Sequence, residues 1–172
     1  MQVLETPRLV LRWVTTDDAP FIFDLLNEPS FIQYIGDKGV RTLDDACNYI
    51  LTRPVASYQR FGHGLNLVLL KDTETPIGMC GLLKRDTLPD VDIGYAFRPA
   101  FWSKGYAYEA TSAVLAHGWE AFGLKRIVAI TAPDNAGSKA VLAKLGLRFE
   151  ESISLFPGQD TDLFAIEAQG TP

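Results

Sequence analysis

Between Val91 and Phe122 the hydrophobic period changes once, and that change limits the folds open to the chain. In VDIGYAF, residues 91–97, Val91, Ile93, Tyr95 and Phe97 alternate with Asp92, Gly94 and Ala96. A period of two belongs to a strand. From Tyr106 to Phe122, Ala110, Ala113, Val114, His117 and Ala121 recur at helical spacing, and Gly123 supplies a C-cap. The loop RPAFWSKG, residues 98–105, joins the two. A loop entering a helix N-terminus can aim successive backbone N–H groups at an anion, and the helix adds a favourable field. Gly105 lets the backbone approach closely, while Arg98 and Lys104 add positive charge. A phosphate or pyrophosphate is the ligand type this suits, although an ordinary strand–helix connection has the same outline. Neither GxxxxGKS/T nor a GxGxxG following a strand occurs, which disfavours a P-loop NTPase and a dinucleotide-binding unit.

The flanking sequence reads as further strands and helices. Residues 8–14, 65–70, 76–83, 126–131, 148–155 and 162–166 read as strands, with turns at Asp72–Thr75 and Pro157–Asp160. Gly78 and Gly81 suggest bends or close approach within the third of these. Helices are expected over Ala19–Leu26, from Thr42 to a stop or kink at Pro54, over Tyr106–Phe122, and over Ala136–Leu145 with Gly146 closing it. Phe31–Ile35 is a short apolar segment, read as part of a helix–loop–helix lid. The expectation is one α/β (α+β) domain over residues 1–172, with about seven strands in a mostly antiparallel mixed sheet and about four helices.

Charge is unevenly distributed along these elements. The 16 Lys+Arg and 21 Asp+Glu give −5 overall, which argues against a general nucleic-acid binder. Residues 98–148 hold 7 basic and 3 acidic side chains, a net of +4, and both flanks are acidic. Cys47 and Cys80 lack metal-ligand spacing and read as buried small hydrophobes in a reducing compartment. The opening MQVLETPRLVLRW lacks the form of a secretory signal, and no run of 18 apolar residues occurs. A cytoplasmic protein with no nucleic-acid or membrane partner is expected.

Three sets of residues carry a resemblance. The opening fits T-x-R-L-x-L-R through Thr6, Arg8, Leu9, Leu11 and Arg12. A central set comprises Gly94, Tyr95, Pro99, Trp102, Gly105, Tyr106, Ala107, Glu109 and Ala110. A later one comprises Pro133, Asn135, Ser138, Val141, Lys144 and Gly146, with Leu147 where the pattern has Phe. In this order and spacing the chain resembles the Gcn5-related N-acetyltransferase (GNAT) superfamily, and within it the ribosomal-protein alanine acetyltransferase (RimJ/RimL-like) branch. The match runs from residue 5 to about residue 167.

The resemblance implies the GNAT acyl-CoA N-acyltransferase fold, with acetyl-CoA as cosubstrate and no metal. The strand at Asp92–Phe97 should splay from that at Ile127–Thr131. The backbones of Ile93, Tyr95 and Phe97 would then pair with the pantetheine arm. Trp102, Ser103, Lys104, Gly105, Tyr106 and Ala107 would wrap the pyrophosphate, with Arg98 at the basic position before them. Asn135 would reach the pantetheine or acetyl end, and Lys139 or Lys144 the adenosine phosphates. The basic interval 98–148 agrees with a polyanionic ligand.

Direct attack of an amine on the thioester needs a neutral amine, a polarised carbonyl and a leaving thiolate. Asp92 is the first candidate for general base, since the branch often carries an acid there; a structural role is the competing reading. Glu109 reads as structural. His63 is a further base candidate beside a structural reading. No tyrosine follows Asn135 where many relatives hold an acid. Ser138 either hydrogen-bonds the departing sulfur or caps a helix. An N-terminal α-amino group of a peptide or protein is the acceptor the branch suggests, a small-molecule amine the alternative, and a non-catalytic CoA-binding regulatory module the second alternative. Asp24, Glu28, Asp37, Asp44 and Asp45 are candidates for an acidic wall facing the amine, or for a solvated face. Monomer and homodimer are both compatible with the sequence.

Overall fold

Residues 1–156 and 158–168 are described by the structure, a computed structural model. Pro157, expected in the last turn, lies outside the described residues. The strands are β1 (Gln2–Glu5), β2 (Leu9–Trp13), β3 (Leu65–Leu70), β4 (Pro76–Lys84), β5 (Val91–Phe97), β6 (Arg126–Thr131), β7 (Arg148–Phe156) and β8 (Gln159–Glu167). They form one sheet in the order β1-β2-β3-β4-β5-β6-β8-β7. Every neighbouring pair is antiparallel except β5–β6, which is parallel.

Among the described residues eight strands therefore replace the expected seven. The extra one, β1, precedes the first expected strand and pairs with it at the sheet edge through Leu4–Leu11 and Glu5–Val10. The helices are α1 (Ala19–Leu26), α2 (Pro29–Tyr34), α3 (Leu43–Ile50), α4 (Ala56–Phe61), α5 (Tyr106–Phe122) and α6 (Ala136–Lys144). Two short helices, α2 and α4, thus add to the expected four. Pro54 does not stop its helix. A wide π-helical turn, Leu51–Val55, carries it into α4, where the looser winding accommodates the ring and its missing N–H.

Both faces of the sheet are covered, which explains why strands such as LNLVLL are apolar almost throughout. Adjacent residues point to opposite faces. Val68, Cys80, Ile93 and Phe97 pack with α5 residues Ala110, Val114 and Leu115. Leu67, Met79 and Ala96 pack with Ile22, Leu25 and Ile50 from α1 and α3. The glycines of β4 mark close approach, as their positions suggested. A Cβ on Gly81 would lie 2.0 Å from the Gly64 carbonyl oxygen. Among the described residues no helix is long and apolar enough to cross a membrane.

Candidate active site

The parallel pair β5–β6 is joined only at Val91–Ile127 and Asp92–Val128. Beyond Asp92 the strands separate. β5 remains paired with β4 along all seven residues, and the Arg98 amide donates to the Ile77 carbonyl at the end of that ladder. Hydrogen-bonding direction alternates along a strand, so Asp92, Gly94 and Ala96 direct their backbone groups at β4. Ile93, Tyr95 and Phe97 direct theirs into the gap. The Phe97 carbonyl is already engaged there, accepting the Trp102 indole N–H at 2.8 Å.

The loop after β5 closes one end of this gap. Pro99–Phe101 form a 3-10 turn, then Ser103 and Gly105 take φ of +58° and +80° before α5 begins at Tyr106. At Gly105 a Cβ would both strain the backbone and lie 3.2 Å from the Arg8 guanidinium. The loop is held by residues about a hundred positions earlier. Glu109 accepts from Thr6 Oγ1 at 2.6 Å, from the Arg8 amide at 2.9 Å and from Arg8 Nε at 2.6 Å. Arg8 also donates to the Lys104 carbonyl at 2.9 Å and lies over the Tyr106 ring, 4.5 Å from its centroid. Thr6 and Arg8 from the first motif and Glu109 from the central one are thus one network. Glu109 is structural, as its sequence reading held.

Several expected cofactor contacts are engaged elsewhere. Arg98 faces Glu28 at 3.5 Å, Lys104 lies over Phe101, and Lys144 lies over Tyr108. Lys139 pairs with Asp162 at 2.7 Å. Arg126 is surrounded by Asp90, Glu150 and Glu167, so the basic interval is only partly free for an anion.

At the vertex of the gap, Asp92 is fully buried. Its Oδ1 accepts from Arg85 Nε at 2.9 Å, while Oδ2 is buried without a hydrogen-bond partner among the described residues. Burial raises the carboxyl pKa, against the opposing pull of Arg85. Its side chain shares a sheet face with Val128, whose surroundings form an open depression floored by Leu88, Ile153, Leu155 and Leu163.

On the other face Tyr95 reaches α6. Its hydroxyl is 2.8 Å from Ser138 Oγ. Burial pushes the phenol up to about 12, against the Ser138 hydrogen bond. This contact was not legible in the sequence, where Tyr95 entered only through its backbone. The cap of α6 is Asn135, whose Oδ1 accepts from the Ser138 amide at 3.1 Å. The capping alternative considered for Ser138 is therefore filled by Asn135.

His63 stands apart from Asp92. Its Nδ1 is 3.0 Å from the Leu82 carbonyl, and its ring packs against Phe61 and Phe122. Burial lowers its pKa, so it is neutral at physiological pH. The proposed acidic wall is largely engaged in local contacts. Asp37 pairs with Arg41, Asp45 caps α3 by accepting the Arg41 and Thr42 amides, and Glu28 faces Arg98.

Known proteins are similar to this chain in fold and in sequence. The family model for the acetyltransferase (GNAT) domain matches residues 8–148. A Bacillus subtilis (strain 168) protein, the uncharacterized N-acetyltransferase YoaA, is 30% identical over 171 residues, covering 95% of this chain and 96% of its own. The crystal structure of a GNAT-family acetyltransferase from Bacillus anthracis superposes with a TM-score of 0.80 at 26% identity, over 97% of this chain and 98% of that one. RimL, a ribosomal alpha-N-protein acetyltransferase solved with coenzyme A, superposes with a TM-score of 0.85 at 17% identity, over 97% and 98%.

Proposed function

Since the chain belongs to the GNAT acetyltransferase family and its cosubstrate is acetyl-CoA, we propose that its β5–β6 gap directs the acetyl group onto a primary amine, most specifically the N-terminal α-amino group of a peptide or protein. The observation that carries this reading is the divergence of β5 from β6 immediately after Asp92, with a glycine-turned loop at the far end. The residues present fit the cosubstrate: β5 residues not paired with β4 face the gap, and the left-handed φ of Gly105 disfavours a side chain there.

Acetyl-CoA supplies an activated thioester; the chain orients it and manages protons. Backbone groups of Ile93 and Tyr95 pair with the pantetheine arm, and one of their N–H groups supports the oxyanion. The amides from Trp102 to Ala107 hold the pyrophosphate, with Arg98 exchanging Glu28 for phosphate. Lys144 serves the adenosine phosphates. Asn135, its Oδ1 fixed by the cap, presents its amide N–H to the arm.

Asp92 Oδ2 accepts the amine proton, through one water because the carboxylate is enclosed. Its raised pKa suits a base working near neutrality. The Tyr95 phenol, kept protonated and linked to Ser138, donates to the leaving sulfur. Residues 1–172 act as one acetyltransferase domain in this reading. The α-amine assignment rests on the motifs shared with the ribosomal-protein alanine branch.

The test follows thiol release from acetyl-CoA with a panel of N-terminal peptides and small amines, alongside CoA binding. Peptide-dependent release supports the reading. Release with small amines alone removes the peptide assignment. Tight CoA binding without release for any amine makes the chain a CoA-binding module instead.

A further inference from the structure

The sheet is made of two halves that meet at a short seam. Strands β1 to β5 form one continuous antiparallel ladder, with seven residue pairs between β4 and β5. Strands β6, β8 and β7 form the other, with six pairs between β6 and β8. Between the halves, the β5–β6 ladder has only the rungs Val91–Ile127 and Asp92–Val128. The proposed general base thus stands on the last rung before the gap.

One row of side chains crosses this seam. Arg126, the first residue of β6, is the register partner of Glu167 on β8, and its Nη1 donates to that carboxylate at 2.9 Å. The same guanidinium reaches Glu150 on β7, through Nη1 at 2.9 Å and Nη2 at 2.5 Å. In the opposite direction its Nε donates to Asp90 Oδ2 at 3.0 Å. Asp90 directly precedes β5, so the ion pair falls where the parallel register would continue by one step. It acts as a third rung, made by side chains, behind Val91–Ile127.

Stability alone does not account for this row. Arg126 and its three partners are all partly exposed to solvent, Glu167 by 65%, and ion pairs in such surroundings add little to folding. Alignment is what the row can control. Asp92 and the Ile93 amide belong to β5, whereas the Ser138 hydroxyl that meets Tyr95 belongs to α6, which follows β6. A tilt at a two-rung seam shifts these groups against each other, and a misplacement of about 1 Å can cost a reaction about 10²-fold.

We propose that Arg126 is a positioning residue: through Asp90 it fixes the angle at which β5 leaves β6, and with it the place of Asp92 beside the acetyl group. The inference rests on the acetyl-transfer reading and deepens it. Glu150 and Glu167 aim the guanidinium, and the link to Asp90 holds the seam.

Three variants separate this role from a general one. Asp90→Ala removes the third rung and leaves Arg126 bound to Glu150 and Glu167. Asp90→Asn keeps an oxygen that Arg126 Nε can reach. Glu167→Ala deletes a carboxylate from the same row without touching β5. Each is compared with wild type in kcat, in CoA affinity and in amide hydrogen exchange over residues 91–93 and 127–129. In Asp90→Ala, kcat should fall about tenfold with CoA affinity held within about twofold, and exchange should quicken in both segments. Asp90→Asn should recover most of the rate, and Glu167→Ala should match wild type in rate and exchange. Wild-type kcat or unaltered exchange in Asp90→Ala would overturn the proposal. So would a loss of CoA affinity as large as the loss of rate, an equal loss of rate in Glu167→Ala, or no recovery in Asp90→Asn. Absence of wild-type turnover with every amine would defeat the acetyl-transfer reading instead. Faster exchange confined to Asp90→Ala would then still uphold the fixing of the seam, and unchanged exchange would overturn it.

Discussion

Replacing Glu109 by alanine should loosen the loop at residues 98–105, the proposed pyrophosphate site, without touching it. The carboxylate accepts three hydrogen bonds, two of them from Arg8, and Arg8 in turn holds the Lys104 carbonyl. Charge-assisted hydrogen bonds contribute about 1.5–3 kcal/mol each. The Arg8 side chain is 46% exposed, so solvent screening reduces its ion pair well below that range. A total of about 2–3 kcal/mol is reasonable for the three bonds together. For a chain of this size that corresponds to a fall in Tm of about 4–12 °C.

A loop no longer held in place must be ordered on binding, so CoA affinity should fall roughly tenfold. Desolvation pushes the Glu109 pKa upward, but the bonds from Thr6 and Arg8 outweigh it and hold the value below normal. Stability from such a group is present above its unfolded pKa and is lost as pH falls through the folded one. The gap in Tm between wild type and variant should therefore close below about pH 4. Calorimetric melting and CoA titration read both effects. A variant with unchanged Tm and unchanged CoA affinity would refute the network's role.

Other substitutions probe separate parts of the account. Gly81→Ala forces a Cβ to within 2.0 Å of the Gly64 carbonyl oxygen, so backbone must move; a loss of about 3 kcal/mol or more is expected by chemical denaturation, and a loss under about 1 kcal/mol would contradict the packing. Tyr95→Phe removes the proposed proton donor, and kcat should drop roughly tenfold or more with CoA affinity held within about twofold. An unchanged kcat would return the phenol to a structural role. His63 is half-buried in its neutral form, and its lowered pKa means stability falls as pH drops below about 6.5. His63→Gln should flatten that part of the stability profile; an identical profile would show that His63 does not set it.

Legibility followed the range of the interactions. Leu65–Leu70, Val91–Phe97 and Arg126–Thr131 end where local turn residues and periodicity place their ends. Gln2–Glu5 was missed because four residues at an edge have little pattern of their own and depend on β2 for pairing. Helix α4 was missed because a proline at position 54 normally ends a helix, and only the π-helical turn carries the chain past it. The site divides similarly. The loop from Arg98 to Gly105 is contiguous, so its place between β5 and α5 was legible. The Arg8–Glu109 network and the Tyr95–Ser138 contact join residues 101 and 43 positions apart, and nothing local signals them. Charge counting was less informative, because listing Asp37 and Asp45 in the sequence does not reveal that Arg41 and the α3 cap engage them.

The central claim is that the amine loses its proton to Asp92 at the vertex of the β5–β6 gap. It is tested by kcat/KM against pH for wild type and Asp92→Asn, with CoA affinity measured on both. Burial raises the Asp92 pKa, so wild-type activity should rise as pH increases through that raised value, where the carboxylate forms. The variant should bind CoA normally, lose about 10²–10⁴-fold in rate, and lack that rising limb. An Asp92→Asn enzyme with wild-type rate and an unaltered pH profile would contradict the account.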